Sequence, residues 1–336
     1  MSDVARAANV SQPSVSLVLN RVIGARISDA TRQRVLNAAR DIGYELPGAR
    51  RQTYAATARN IIACLVDEIS TSPHPVISLD GARDAAWEAG FLLALHVTRS
   101  NPDLEATTID AIRRDPAILG VVYSTTFTRQ VSPPATLDGL TTVLLNCYGD
   151  GTRWPCVVPG EVAGGYSATR YLISRGHLRI GFINGEPWMD AAANRLKGYR
   201  KALATARIPF DQELMRNGDW LPLSGYQLAL ELLRARHRPS AIFCANDRMA
   251  VGALEAAREA GLRVPEDVSI MGYDDHEVAR YTHPPLSTLV LPNYEMGRRA
   301  VELLIDIAVH GKDVRPTTIK IDGPLVERAS VGPAAI

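Results

Sequence analysis

Long hydrophobic runs are missing from this sequence of 336 residues. No stretch reaches the roughly 18 uninterrupted apolar residues that a membrane-spanning helix needs. Ser2 and Asp3 are polar, whereas a secretory signal has a basic start followed by an apolar segment. We therefore expect a cytoplasmic protein that has no membrane among its partners.

Cysteine is also scarce. The four cysteines lie far apart, mostly within apolar runs, and no CxxC pair occurs among Cys64, Cys147, Cys156 and Cys244. Zinc sites and redox motifs use closely spaced cysteines, and structural disulfides are typical of small secreted domains. The pattern therefore predicts buried thiols.

The motifs of several large enzyme classes are absent. The chain contains no GxGxxG, GxxxxGK[ST], GxSxG or HExxH, and its seven histidines are scattered without the spacing of metal ligands. We therefore expect neither catalysis nor a cofactor nor a metal site.

What remains is the composition of a folded protein with an uneven charge. Hydrophobic residues make up 46% of the chain and charged residues 22%, and the length is sufficient for two or three domains. Residues 1–60 hold nine Arg, no Lys and four acidic residues, a net charge of +5, whereas the rest of the chain carries −4. A basic module attached to an acidic body indicates that the first part approaches phosphate groups.

The first 46 residues have the pattern of a helix-turn-helix domain. A short helix over residues 3–8 is followed by Asn9, which tolerates a positive φ, and by Ser11, a favourable N-cap for a second helix. A third helix begins at Ser28 and ends at Gly43. The spacing predicts a small core made of Val15, Val18, Leu19, Val35, Leu36, Ala39 and Ile42.

The rest of the chain predicts an α/β protein. Residues 47–59 are polar but have fair helix propensity, so we interpret them as a linker that becomes helical on a partner. From residue 60 onward, short apolar runs alternate with amphipathic segments, which predicts parallel doubly wound sheets. There are too many such units for one sheet, and residues 154–159 fall midway. We expect two sheets side by side with a ligand between them.

Several short motifs occur in order along the chain. The first domain contains Asp3-Val4-Ala5, Val10-Ser11, Val15-Ser16, Asn20, Thr31-Arg32, Ile42-Gly43-Tyr44 and Pro47. The body contains Gly176-His177, Ile180-Gly181-Phe182-Ile183, Arg195, Gly198-Tyr199, Gly218-Asp219-Trp220, Ala245-Asn246-Asp247, Val264-Pro265-Glu266-Asp267-Val268, Gly272-Tyr273-Asp274-Asp275 and Met296-Gly297. Together these motifs resemble the LacI/GalR family of bacterial transcription regulators over nearly the whole chain.

The resemblance implies a three-part architecture. A helix-turn-helix DNA-binding domain would occupy residues 1–46, a hinge helix 47–59, and an effector-binding core similar to periplasmic sugar-binding proteins 60–336. The chain would cross between the lobes of the core near residues 154–159, 288–292 and 318–321, and a helix over 293–309 would return to the first lobe. The resulting lobe boundaries are 60–157 with 291–319 for the first lobe, and 158–290 with 320–336 for the second.

The start of the second helix is expected to contact DNA bases. An α-helix fits the major groove, and Gln12 can bond adenine in a bidentate manner, whereas Pro13 and Leu17 offer only apolar contact. An alternative for Leu17 is that it packs on the third helix. The full set of expected DNA contacts is Gln12, Pro13, Ser16, Leu17 and Asn20 at the bases, Arg21, Arg32, Arg50 and Arg51 at phosphates, and Tyr54 as the residue at the family's minor-groove wedge position.

The cleft between the lobes is expected to bind a carbohydrate-like effector. Sugars are bound by aromatic faces and by planar polar side chains. The resemblance favours Arg195, Trp220 and Asp274, and the remaining candidates are His74, Ser124, Asn146, Trp188 and Asn246. Other interpretations stay open: Asn246 as a helix cap, Arg195 as an exposed helix residue, Trp220 as a core residue, and His74 as a loop residue within Ser72-Pro73-His74-Pro75-Val76.

The resulting functional prediction is a ligand-controlled repressor that binds a pseudo-palindromic operator as a homodimer. Because the sequence ends soon after Val331, the resemblance implies a dimer without the additional helix that makes some relatives tetrameric, and the first helix is expected to start unusually close to Met1. The alternatives are a solute-binding protein without a role at DNA, or a regulator that responds to a purine or nucleoside.

Overall fold

The structure is a computed structural model and describes residues 2–19, 27–44, 59–149 and 153–334. The helices are α1 Ser2–Ala8, α2 Gln12–Leu19, α3 Asp29–Asp41, α4 His74–Glu88, α5 Pro102–Arg114, α6 Glu161–Ser174, α7 Asp190–Thr205, α8 Pro222–Arg234, α9 Asp247–Glu259 and α10 Asn293–Ala308. The strands are β1 Ile61–Val66, β2 Leu92–Val97, β3 Ile118–Gln130, β4 Thr142–Tyr148, β5 Cys156–Pro159, β6 Ile180–Asn184, β7 Met215–Asn217, β8 Ala241–Cys244, β9 Ser269–Met271, β10 Thr288–Leu289, β11 Thr318–Ile321 and β12 Leu325–Val326. Among these described helices, none has the length and apolar composition to cross a membrane.

Helices α1, α2 and α3 form the helix-turn-helix domain, with the turn and caps that the sequence predicts. Asn9 has a φ of 51°, and Gly43 has a φ of 68° at the end of α3. The hydroxyl of Ser11 accepts a hydrogen bond from the amide of Ser14 at 3.3 Å, and that of Ser28 accepts one from the amide of Thr31 at 3.2 Å. Each serine therefore satisfies an amide at the start of its helix that has no partner within the helix.

The core of this domain differs from the prediction in the third helix. Val15, Val18 and Leu19 are buried as expected, together with Val35 and Ala39. The expectation for the other two positions is wrong, because Leu36 is 38% exposed and Ile42 is 47% exposed. Leu36 lies about 100° around the helix from Val35, and Ile42 is the C-cap, beyond the last helical residue. Ala38 is buried instead.

The first lobe contains a parallel six-stranded sheet in the order β11-β5-β4-β3-β1-β2. Helix α10 packs on α4 and on this sheet. The approach of α4 and α10 is close because Gly81 lies against the backbone of Tyr294 and Gly297 lies against the backbone of Ser78.

The second lobe contains a parallel four-stranded sheet in the order β7-β6-β8-β9. Its core holds a stack of rings, with Phe182 at 4.9 Å from Tyr199 and 5.0 Å from Phe243 between centroids. Helices α6 and α7 pack closely on one another, since Gly165 lies against the backbone of Arg195 and Gly198 against the backbone of Val162.

The first sheet is extended by two segments for which the sequence predicts another role. Residues 156–159 and 318–321 are expected to be crossings, but they form strands β5 and β11 of the first sheet. The first sheet therefore reaches residues 159 and 321, two residues beyond each of the predicted lobe boundaries. At the second predicted crossing, β10 pairs in an antiparallel two-stranded ribbon with β12, which follows the third predicted crossing.

Candidate functional site

The carboxyl ends of the strands in the two sheets face each other across a cleft. Tyr148, the last residue of β4, donates a hydrogen bond from its hydroxyl to the Asp190 carboxylate at the start of α7, at 2.7 Å. His74 of the first lobe has its Nε2 atom 3.7 Å from Oδ2 of Asp274 of the second lobe. Open α/β sheets bind ligands at this edge, so the cleft is the candidate effector site.

Arg195 occupies the base of the cleft on the second-lobe side. It lies on α7 and is 3% exposed, which rules out the alternative of an exposed helix residue. Its Nε and Nη2 atoms donate to the two carboxylate oxygens of Glu161 at 2.6 and 2.8 Å, and Nη1 donates to the carbonyl of Ala245. The guanidinium also lies 3.7 Å from the ring centroid of Tyr273. Arg195 is therefore held in one orientation from three sides.

Asp274 follows β9 in a loop with an unusual backbone, since its φ is 109°. Its Oδ1 atom is buried and accepts no hydrogen bond among the described residues, although it lies 3.6 Å from Nη1 of Arg195. Burial raises the pKa of this carboxyl group to about 7, because the nearby Arg195 offsets only part of the cost of removing the charge from water. The structure thus holds a hydrogen-bond acceptor in the cleft without a partner.

His74 is the first residue of α4. Nδ1 accepts a hydrogen bond from the amide group of Asn293 at 3.1 Å, which leaves the proton on Nε2, the atom that faces Asp274. Burial, together with the positive charge of Arg195, lowers the pKa of His74 to about 4. The imidazole is therefore neutral at pH 7.

Trp220 forms a half-buried wall of the second lobe. Its backbone has a φ of 69°, and its ring lies against Gly185, where a side chain would collide with it. The ring is 5.6 Å from the guanidinium of Arg195. The alternative that Trp220 is a core residue therefore holds only for part of its ring. Asn246 caps α9 by accepting from the amide of Met249 at 2.8 Å, and it donates to the carbonyl of Trp220 at 3.0 Å.

Asn146 and Trp188 have surroundings other than those expected of effector-binding residues. Asn146 has a φ of 58° and holds the irregular end of β3, because its amide group donates to the carbonyls of Thr125 and Thr126 and its oxygen accepts from Thr128. Trp188 is 73% exposed and donates to Glu186 at 3.3 Å. Ser124 is buried on β3.

Several residues of the cleft are missed by the sequence analysis. Glu161, Tyr273 and Asn293 surround the predicted residues, as described above. Asp247 is buried beside them, where Oδ1 accepts from the hydroxyl of Thr288 at 2.6 Å and Oδ2 accepts from the amide of His276 at 2.7 Å. Burial, and next the charge of Asp274, raises the pKa of Asp247 well above its ordinary range. A motif carries Asp247 and Tyr273, but no local pattern indicates that they are buried together.

The cysteines are as predicted from the sequence. All four are free and buried, and burial raises the pKa of Cys64 and of Cys147 to about 12. Within the described ranges, no group of three or more His, Cys, Asp or Glu side chains is arranged to hold a metal ion.

The candidate DNA-contacting surface is only partly described. On α2, the side chains of Gln12 and Pro13 are exposed, Leu17 is 36% exposed, and Ser16 is half-buried. Leu17 is absent from the residues that pack in the domain core, which leaves its apolar face available. Arg32 is half-buried on α3. The other expected contacts, Asn20, Arg21, Arg50, Arg51 and Tyr54, lie outside the described residues.

Comparison with known proteins matches both parts of the chain. Residues 1–45 match the family of bacterial regulatory proteins of the lacI type, and residues 169–331 match the periplasmic binding protein-like domain. The HTH-type transcriptional repressor PurR of Yersinia pestis is 32% identical over 340 residues, covering 98% of this chain and 96% of the relative. PurR of Mannheimia succiniciproducens is 30% identical over 333 residues, with 98% of each chain covered.

Solved structures agree with these matches. A complex of the transcriptional regulator CelR with cellobiose is 31% identical and covers 98% of both chains with a TM-score of 0.67. A putative LacI-family regulator from Rhizobium etli is 31% identical, covers 81% of this chain and 99% of its own, and gives a TM-score of 0.74. A ribose-bound LacI-family regulator from Enterococcus faecium is 26% identical, covers 82% of this chain and all of its own, and gives a TM-score of 0.65.

Proposed function

We propose, from the premise that this chain belongs to the LacI family of bacterial regulatory proteins, that it represses transcription under the control of a small carbohydrate. In this proposal two subunits place their α2 helices on a pseudo-palindromic operator about one helical turn apart. A carbohydrate bound in the cleft changes the relative position of the lobes and thereby the affinity for DNA.

The observation that carries the effector part of the proposal is the unpartnered Oδ1 atom of Asp274. A buried acceptor without a donor is costly, and a ligand hydroxyl at this position would remove that cost. Trp220 supplies an aromatic face in the same cleft, beside Arg195. The related CelR and Enterococcus faecium regulators, solved with cellobiose and with ribose, support the choice of a carbohydrate.

A thermal-shift screen tests the effector class. A ligand that binds only the folded protein raises the apparent midpoint of unfolding, by an amount that grows with its concentration above Kd. The panel contains mono- and disaccharides, nucleosides and purine bases. We expect a concentration-dependent rise with a carbohydrate. A rise of the unfolding midpoint with purine bases alone would identify a purine as the effector. The proposed role as a transcriptional regulator would then be unchanged.

Gln12 is expected to contribute sequence preference at the operator. Its exposed amide, at the first position of α2, can donate to and accept from the edge of adenine, and each such bidentate contact contributes about 1–3 kcal/mol of discrimination. We expect Gln12→Ala to weaken binding of the selected duplex by roughly 5- to 150-fold at constant salt. Duplexes selected from a random library, followed by titration in fluorescence anisotropy, provide the measurement.

Gln33→Ala is the matched control for this experiment. Gln33 is exposed on α3, where its side chain bonds to Asn37 at 3.0 Å, so the same substitution is made in the same domain away from α2. We expect its effect to stay within twofold. Equal losses for the two variants would show that Gln12 contributes no base contact. Absence of any selected sequence at low salt would contradict the DNA-binding part of the proposal.

A further inference from the structure

We infer that the effector carries a protonated amine and that this amine binds at Asp274, so that the ligand class is an amino sugar or a similar polyhydroxylated amine. The inference rests on the proposed function, because it assigns a chemical class to the ligand of the same cleft. It is carried by the balance of buried charges around Asp274 and by the donors that remain available there.

Carboxyl groups outnumber cations in the base of the cleft. Glu161, Asp247 and Asp274 are all buried, and the one buried cation beside them in the described structure is Arg195. Burial, together with the neighbouring carboxylates, raises the pKa of Asp247 and of Asp274, which is the sign of this excess. Glu161 already occupies two donor atoms of that guanidinium, at 2.6 and 2.8 Å. Asp274 is left with an ion-pair distance of 3.6 Å and no hydrogen bond. One cation is therefore shared by more carboxylates than it can neutralise.

The remaining titratable groups around the cluster do not restore the balance. The imidazole of His74 is neutral at pH 7, and burial lowers the pKa of His276 as well. Asp275 has its own partner, since Arg328 donates to it at 2.6 Å. Arg248, at the start of α9, has an exposed side chain, so water screens its charge.

The acceptor that remains without a partner in the cluster is a carboxylate oxygen. Arg195 uses three of its five N–H groups on Glu161 and on the carbonyl of Ala245, and the Nε2 proton of His74 faces Oδ2 of Asp274 from 3.7 Å. The other atom, Oδ1 of Asp274, is an acceptor without a donor. An ammonium group offers three donors and one positive charge, which matches this atom.

The same argument disfavours anionic sugars at Asp274. A phosphate or uronate group placed beside Asp274 and Asp247 would bring a further negative charge into a buried site that has no free cation among its described residues. A neutral sugar hydroxyl can satisfy Oδ1 of Asp274 but leaves its charge uncompensated. The expected order of affinity is thus amine, then neutral sugar, then anion.

A set of matched ligands tests this order. Glucosamine, galactosamine and mannosamine are each compared at pH 7 with the parent hexose and with its 6-phosphate by calorimetric titration of the full chain. We expect at least one amine to bind about tenfold or more tightly than its parent, and the phosphates to bind weakest. Tighter binding of the neutral or phosphorylated form, or binding of none of the amines, would overturn the inference. Binding of a neutral sugar would still leave the proposed function in place.

A second measurement needs no ligand. Asp274 has a pKa of about 7 in the folded protein, whereas its ordinary value, taken for the unfolded chain, is 3.8. Between these two pH values the folded state binds more protons than the unfolded state, so the free energy of unfolding falls as pH rises from about 4 to 7. We expect Asp274→Asn to raise Tm by several degrees at pH 8 and by much less at pH 5. Asn also tolerates the positive φ at this position.

The control is the same substitution at a carboxylate that has partners in the same lobe. Asp211 accepts from Arg179 at 2.9 Å and from the amide of Glu213 at 2.9 Å. Asp211→Asn should leave Tm unchanged or lower it at both pH values. A lower Tm for Asp274→Asn at pH 8 would mean that the charge of Asp274 is already compensated, and it would overturn the inference without reference to any ligand.

Discussion

Arg195→Met should lower the free energy of unfolding by about 3–5 kcal/mol. The substitution keeps much of the aliphatic volume but leaves Glu161 buried and without its two donors. Breaking a buried ion pair from one side costs far more than the pair contributes, because the remaining charge stays out of water. Urea denaturation at pH 7.5, with the slope and midpoint fitted separately, provides the measurement.

Two further variants show whether the loss comes from the buried charge. In the double variant Glu161→Leu with Arg195→Met the ion pair is removed from both sides, so much of the lost stability should return. The part that does not return includes the loss of the cation that lies 3.6 Å from Asp274. Arg216→Met removes one partner of an exposed pair, Arg216 with Glu231 at 3.0 Å, and should cost less than about 1 kcal/mol. If Arg195→Met lost no more stability than Arg216→Met, Glu161 would have to be solvated or protonated in the folded protein.

Gly198→Ala should cost about 3 kcal/mol, near the upper end of what overpacking by a methyl group produces. A Cβ atom at this position would lie 2.6 Å from the amide nitrogen of Tyr166 and even closer to the carbonyl of Val162. These atoms belong to the backbone of α6 and have no alternative rotamer, so α6 and α7 must separate. Since α6 carries Glu161 and α7 carries Arg195, their ion pair would lengthen as well.

The measurement is again urea denaturation, combined with titration of the ligand found in the screen. We expect Gly198→Ala to lose both stability and ligand affinity, because the helices that hold the base of the cleft move. Gly149→Ala is the matched control, since the nearest atoms of the described residues to a Cβ there lie at 3.9 Å, and it should change stability by less than about 0.5 kcal/mol. A neutral effect of Gly198→Ala would mean that α6 and α7 pack less closely than the structure shows.

Much of the chain's architecture follows from local sequence patterns. The caps at Ser11 and Ser28 and the glycine at position 43 fix the helices of the first domain, because each satisfies a requirement of its own backbone. The sequence-based predictions are wrong where the structure of a segment depends on neighbours that are distant in sequence. Residues 156–159 form a strand only because β4 and β11 lie on either side of them.

The candidate site is less predictable than the fold. Arg195, Trp220 and Asp274 are identified through motifs, but the partner of Arg195 is Glu161, which is 34 residues away and carries no motif. The role of Asn146 likewise depends on the irregular pairing between β3 and β4, and the sequence of residues 125–129 does not indicate this irregularity. Charge balance in a buried cluster is a property of several segments together, and no single segment contains it.

The first lobe is assembled from three separate parts of the chain, with α10 and β11 supplied after the whole second lobe. During synthesis, α4 and its strands therefore emerge long before the helix that covers them, so the buried surface of Ala82, Ala85 and Ala86 has no partner until residue 293 and beyond leave the ribosome. The second lobe, apart from its short C-terminal segments, is available earlier. We expect it to fold first and the first lobe to be most prone to aggregation in nascent chains that stop before α10.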